Sequence, residues 1–415
     1  MINIFLSLSL ILFSLSLIFV SVRDRFGYLP VFFSLYFICI LIIPAYFHIY
    51  NNVFPFYNLS YDYDDQLSAA IILFIFTIFF WLSFFLTPIS RVVKDNYITK
   101  HVNKYRYMST IWIVLILLSF GLLSYGINTF MTPRGEFSTE SLGENATTRE
   151  LVLSFLRAGA FFSVYFLLIY KKMIGKVYWY FTFLWALSLF FIFNYPLALS
   201  RFLFFSYLII LFCYYVKVSK ISKLSVILIF SIGVTTLFPF FSYITRGEGD
   251  FLKSLNGYYQ SSGDFDGFQS IINAVIYTSK FGFTFGSQIL SSIFSFVPRS
   301  LWIDKAQPTG SITASAAGYD FLNISSPLPS EFFIDFGYPG LIFFSILLGV
   351  ILRKIDSVIL FERKLSLKFS LSIILISLLP VLSRGSLLAV INILYAEIIV
   401  FSLIYLMIFL KVKIR

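Results

Sequence analysis

Residues 68–89, "SAAIILFIFTIFFWLSFFLTPI", contain no charged side chain. Acidic residues precede them in "YDYDDQL" (61–67) and basic residues follow in "RVVKDNYITKHVNKYRY" (91–107). As a helix rising 1.5 Å per residue, the stretch is about 33 Å long, enough to cross the roughly 30 Å hydrocarbon core of a bilayer. The chain repeats this pattern along its length. Of its 415 residues, 59% are hydrophobic and 12% charged, whereas a soluble domain carries about a quarter charged. Eleven crossings are expected, at 2–20, 28–49, 68–89, 108–130, 151–170, 177–195, 202–216, 224–243, 336–352, 366–382 and 387–410. The period-two alternation of a β-barrel is absent from these runs. The predicted fold is an all-α polytopic membrane protein. Its first eight transmembrane helices lie in 1–243, a large extracytoplasmic loop in 244–335, and three further helices in 336–415.

The connecting segments assign the sides. Arg and Lys number two in 21–27, five in 91–107, three in 171–176, three in 217–223, five in 353–368 and three in 411–415. The alternate set holds none in 50–67, two in 131–150, one in 196–201, five in 244–335 and one in 383–386. The positive-inside rule places the first set in the cytoplasm, so the amino terminus is expected outside and the carboxyl terminus inside. The net charge of +11 is therefore a topology signal. No basic stripe with aromatic platforms points to nucleic acid. No positive charge precedes the first apolar run, so a cleavable signal peptide is not expected. Cys39 and Cys213 fall inside apolar runs and read as small hydrophobes.

The loop 244–335 is too long to be a mere connection. Within "SQILSSIFSFV", Ile289, Leu290, Ile293, Phe294 and Val297 recur at helical spacing, an amphipathic stripe suited to the membrane interface. The following "SFVPRSLWIDKAQPTGS" (295–311) brings cations, prolines and a tryptophan into an otherwise apolar chain.

The chemistry on offer is narrow. His48 and His101 are the only histidines, and no Cys or His spacing suits zinc. His48, at the outer end of a span, reads as interfacial. There is no phosphate-cradling Gly-rich loop and no dinucleotide turn, so no cofactor is expected. What the outer face does carry is arginine: Arg201, Arg246, Arg299 and Arg384, with Arg157 two turns inside the fifth span. Arginine offers bidentate donors matched to phosphate oxygens and keeps its charge, which suits a lipid diphosphate. The alternative for each is pairing with a headgroup or a local acid. Glu331 and Asp335 are four residues apart and share a helical face if the span begins early. A partly desolvated carboxylate there can take a proton from a sugar hydroxyl. Equally, Glu331 can complement a helix N-terminus.

Three stretches resemble the Wzy-type oligosaccharide repeat-unit polymerases, relatives of the O-antigen ligases. They are "LSRFLFFSYLIIL", "VPRSLWIDKAQPTG" with its Pro-Arg-x-x-Trp-x-x-Lys pattern, and "PLPSEFFIDFGYPGLIFFSILLGVILR". Arginine followed eleven positions later by glycine occurs at Arg246 and Gly257 and at Arg299 and Gly310. The resemblance implies a metal-independent glycosyltransferase of the bacterial inner membrane. Undecaprenyl-diphosphate-linked glycan would be both donor and acceptor, and a flippase and a chain-length regulator would be partners. It further implies Arg299 facing the diphosphate and Trp302 stacking on a sugar ring. The ligase branch is expected to carry a histidine in the large loop, and 244–335 has none. That favours a polymerase with a carboxylate base. The alternatives are a polysaccharide flippase or ion-coupled carrier, a non-catalytic scaffold, and a eukaryotic glycosylation enzyme with sequons at Asn58, Asn145 and Asn323.

Overall fold

Long apolar runs fold as helices because no water is present in a bilayer to satisfy backbone N–H and C=O groups. The structure, a computed structural model, describes residues 26–57, 60–88, 103–132, 146–171, 174–219, 222–233, 262–361, 366–382 and 384–409, with a few isolated positions besides. Among the described residues the regular structure is helical, without strands. Among the described residues, six helices are long and apolar enough to cross a membrane: Leu29–Asn51, Tyr63–Leu86, Lys104–Tyr125, Leu151–Ile169, Lys176–Phe193 and Leu387–Phe409. Arg201–Tyr215, Lys223–Ile232 and Leu367–Leu382 are shorter apolar helices. The expected crossing at 336–352 lies within Leu328–Phe361, two helices joined at a kink at Phe336 and Gly337. The expected first crossing lies largely outside the described residues.

The chain divides into two compact units. The first comprises 1–92, 216–363 and 379–391. Its opening helix changes register where Ile43 donates to the carbonyl of Ile38, a π-type bond just before Pro44. Proline has no N–H to continue the ladder, and the wider turn accommodates it. The Tyr63–Leu86 helix starts with Asp64 and Asp65, acids that complement its N-terminal dipole. It packs on Leu328–Phe361 at Gly349, where a Cβ would collide with Ser83 Oγ and the Phe80 carbonyl. A small residue is what lets two apolar helices approach closely. Rings of Phe33, Phe37, Phe76, Phe80 and Trp81 fill the space beside this contact.

One end of this unit is closed by a buried ion pair. Arg353 lies 3.1 Å from Asp356 and its guanidinium covers the Phe26 ring at 4.6 Å. Asp356 also accepts the Gly27 N–H at 2.9 Å, and Lys223 donates to the Phe26 carbonyl at 2.8 Å. Three segments that the Arg/Lys bias assigns to one side of the membrane therefore meet.

The second unit comprises 93–215, 364–378 and 392–415. Buried side-chain donors reach helix carbonyls within it: Tyr107 Oη to Phe166 at 3.1 Å and Trp179 Nε1 to Leu167 at 2.9 Å. Phe401 packs on Phe162 and Phe166 with centroids 5.3 and 5.4 Å apart.

Candidate functional site

The described part of the expected loop, 262–335, is folded into the first unit. Helix Gly267–Phe281 buries its first nine residues. A Cβ on Gly267 would lie 2.8 Å from Leu41. Leu41 is ten residues before Asn51, about 15 Å from that end of its helix and about 18 Å from the other, so Gly267 sits well inside the length of that helix. The chain returns to this depth before Leu328–Phe361. That helix is broken at Phe336 and at Gly337, whose φ of 63° suits glycine. Beyond the break, a Cβ on Gly340 would sit 3.2 Å from the Phe332 carbonyl. Eight residues of straight helix would separate these positions by about 12 Å, so 328–335 doubles back along the helix it precedes. Phe332 packs at 6.3 Å from Phe76, near the middle of Tyr63–Leu86.

Non-helical backbone at this depth must be satisfied by protein, and a polar cluster does so. Arg384 lies 3.6 Å from Asp264 and 3.2 Å from Asp266, and donates to the Gly263 carbonyl. Asp266 accepts from the N–H of Ser325 at 3.1 Å and from its hydroxyl. Ser326 donates its N–H to the Arg384 carbonyl at 2.9 Å. Beside this cluster, Gln269 Nε2 donates to the hydroxyls of Tyr319 at 2.7 Å and Tyr61 at 3.0 Å. That network clamps the 54–61 loop onto the Gly267–Phe281 helix.

Glu331 is fully buried. Its Oε1 accepts the Leu387 N–H at 3.0 Å, at the start of the Leu387–Phe409 helix. Its Oε2 lies 2.6 Å from the Thr309 hydroxyl, which lies 3.1 Å from Gln288 Oε1. One hydroxyl proton cannot serve both neighbours. With Gln288 presenting oxygen, Thr309 donates to Gln288 and accepts from a protonated Glu331. With the amide turned over, Gln288 donates to Thr309 and Thr309 to an ionised Glu331. Burial raises the Glu331 carboxyl from 4.5 to about 7, against the opposing pull of Thr309 and the Leu387 N–H. Either protonation state is thus accessible near neutrality.

Asp335 does different work. It accepts from the Thr284 hydroxyl and from the N–H groups of Gln288 at 3.2 Å and Ile289 at 2.9 Å. It is the N-terminal cap of Ser287–Ile293. This helix buries Gln288, Ser291 and Ser292 and leaves Leu290, Ile293 and Phe294 exposed. The expected amphipathic stripe is therefore present with its apolar side uncovered.

The cationic loop is held by its own side chains. Arg299 donates to the carbonyls of Lys305 at 2.6 Å and Ala306 at 3.0 Å. Lys305 is buried and donates to Ser295 at 2.6 Å and Val297 at 2.9 Å. Trp302 is half-buried.

The expected site residues thus fall into three groups. The first unit links Glu331 to the segment that carries Arg384, through the Leu387 N–H, and also contains Asp335, Arg299 and Trp302, which bond to neither. Arg157 and Arg201 belong to the second unit. Arg246 lies outside the described residues, as do Asn58 and Asn145. His48, expected at the interface, is fully buried with Phe54 at 5.5 Å. Sequence reasoning missed Asp264, Asp266, Gln269 and Glu397. For Glu397 the signal was available, an isolated acid in "LLAVINILYAEIIVFSLIYLMIF". Among the described residues no three His, Cys, Asp or Glu side chains are grouped as a metal site.

Comparison with protein-family models, with curated proteins and with solved structures found no match.

Proposed function

We propose that this chain is a multi-pass membrane glycosyltransferase that polymerises lipid-diphosphate-linked oligosaccharide repeat units at the outer face of the bacterial inner membrane. In this reading the chain crosses eleven times, with its amino terminus outside and carboxyl terminus inside, as the Arg/Lys bias implies. The observation that carries the reading is that one four-residue segment, 384–387, supplies both the N–H that the near-neutral acid Glu331 accepts and the cation Arg384, which is paired with Asp264 and Asp266. Glycosyl transfer needs such a pair. The acceptor hydroxyl oxygen bonds to the anomeric carbon as the carbon–oxygen bond to the diphosphate breaks. The hydroxyl proton passes to Glu331, and the lipid diphosphate leaves with the bonding electrons, stabilised by Arg384. Asp335, whose oxygens are engaged with three donors, positions the Ser287–Ile293 helix. Arg299 and Lys305 shape the loop that carries Trp302, and in this reading Trp302 stacks on a sugar ring of the substrate. Since Glu331 and Thr309 are both buried, the reaction requires the 298–309 loop to move aside when substrate arrives.

The test uses purified protein and an undecaprenyl-diphosphate-linked repeat unit. Expected is a ladder of chain lengths that survives EDTA, is lost in Glu331→Gln and is strongly reduced in Arg384→Lys. A full ladder from both variants would overturn the assignment.

A second reading, an ion-coupled carrier, is favoured by a separate observation. Doubled-back and broken helices below the outer surface, together with Glu397 inside a span, are features of transporter binding sites. Transport of lipid-linked glycan without chain extension would decide for it.

A further inference from the structure

The second unit holds a titratable group that the glycosyl-transfer reading does not use. Glu397 lies ten residues into the Leu387–Phe409 helix, about 15 Å from its start and so near the middle of the span. It is fully buried, and among the described residues neither carboxyl oxygen meets a hydrogen-bond partner. The groups facing it can be named. Tyr207, buried in the Arg201–Ser219 helix, is within electrostatic reach of both Glu397 and Arg157 of the Ala146–Ile169 helix. Arg157 in turn receives Asn194 Nδ2 on its carbonyl at 3.2 Å, and Asn194 is fully buried with an unpartnered Oδ1. One turn beyond Glu397, Phe401 packs on Phe162, Phe166 and, at 6.3 Å, Tyr165. Apolar rings therefore pack on the C-terminal side of Glu397 along its helix, and Tyr207 and Arg157 are the polar groups within reach.

An isolated carboxylate without donors in such a place is costly, and buried acids neutralise rather than remain charged. A metal ion would need several oxygen ligands, and the described residues do not group them there. A sugar would need a cavity. A proton needs neither. We propose that Glu397 is a proton-exchange site within the membrane: it holds a proton as the neutral acid at rest, and releases it outward past Tyr207. On release the oxygen–hydrogen bond breaks, water takes the proton, and Arg157, which shares Tyr207 as a neighbour, supplies the countercharge to the carboxylate. The inference is independent of the glycosyl-transfer reading, since no residue of the Glu331 cluster takes part.

The experiment is infrared difference spectroscopy on the full chain reconstituted in phospholipid vesicles, wild type minus Glu397→Gln, titrated from neutral to alkaline pH. Expected at neutral pH is one carbonyl stretch of a protonated carboxylic acid, lost in Glu397→Gln and shifted by deuterium. It should fade with rising pH while carboxylate bands grow. Arg157→Gln should move that transition to higher pH, since the countercharge is gone. If Glu397→Gln does not fold, Glu397→Asp serves for the same subtraction, with a displaced band. Carboxylate bands at neutral pH would overturn the proposal. So would a protonated band that persists unchanged until the protein unfolds, because that describes a neutral acid with no exchange.

Discussion

Glu331 caps a helix that begins 56 residues further along the chain, accepting the Leu387 N–H at 3.0 Å. The same four-residue segment carries Arg384, which is paired with Asp264 and Asp266. A candidate base and a candidate phosphate-binding cation are thus set by one short turn. Any change to either is expected to be felt by both.

The Glu331 carboxyl gives a pH signature. Its folded value, about 7, is above the ordinary 4.5. Between these values the folded state binds a proton that the unfolded state has lost, so stability falls as pH rises through this window. The contribution is at most roughly 3 kcal/mol. Thermal unfolding in detergent should show wild type losing stability between about pH 5 and 7 relative to Glu331→Gln. Parallel curves for the two proteins would refute this.

Activity should run the opposite way. A general base must be ionised, so polymerisation is expected to rise as pH passes through about 7. Glu331→Asp should retain some activity, and Glu331→Gln should lose about 10²–10⁴-fold in rate. Rates measured across pH on one lipid-linked substrate check both points.

Replacing Arg384 separates packing from chemistry. Arg384→Ala leaves Asp264 and Asp266 buried without their cation, which is expected to destabilise the protein by several kcal/mol. Adding Asp266→Asn should restore part of that stability but no polymerisation. Recovery of activity in the double variant would make Arg384 purely structural.

Asp335→Ala removes the cap of Ser287–Ile293. A lost cap and an unsatisfied donor cost about 1–3 kcal/mol. Hydrogen exchange should rise at the Gln288 and Ile289 amides, which Asp335 accepts. Exchange at Gly27, held by Asp356, should not change.

The assignment of sides is checked with single cysteines at two exposed positions, Asp304 and Lys354, in a protein lacking Cys39 and Cys213. Asp304→Cys should react with an impermeant maleimide added outside, and Lys354→Cys only after permeabilisation. The reverse pattern would invert the topology.

The class of protein was legible in the sequence. Run length and apolar content along residues such as 63–86 or 104–125 mark membrane helices, because crossing a bilayer is a local requirement on each segment. Lys223, Arg353 and the 26–27 segment were assigned to one side by charge alone, and the structure brings them together. The segment 244–335 was legible as exceptional, although the burial of Gly267–Val275 and Leu328–Asp335 was not. Hydropathy does not announce that 328–335 doubles back, since the reversal is made by two non-helical residues, Phe336 and Gly337, inside an apolar run.

The site was only half legible. Glu331, Arg384 and Asp335 stood out as ionisable residues at the ends of apolar runs, a property of composition. Their partners did not. Arg384 meets Asp266 across 118 residues, and Asp335 meets Ile289 across 46. Hydropathy and charge bias add up segment by segment, so the sequence by itself determined a helical membrane protein with basic loops on one side. A hydrogen bond needs two groups within about 3 Å. Which carboxylate caps which helix, which arginine is ion-paired and which acid stands alone were therefore decided only when distant segments packed.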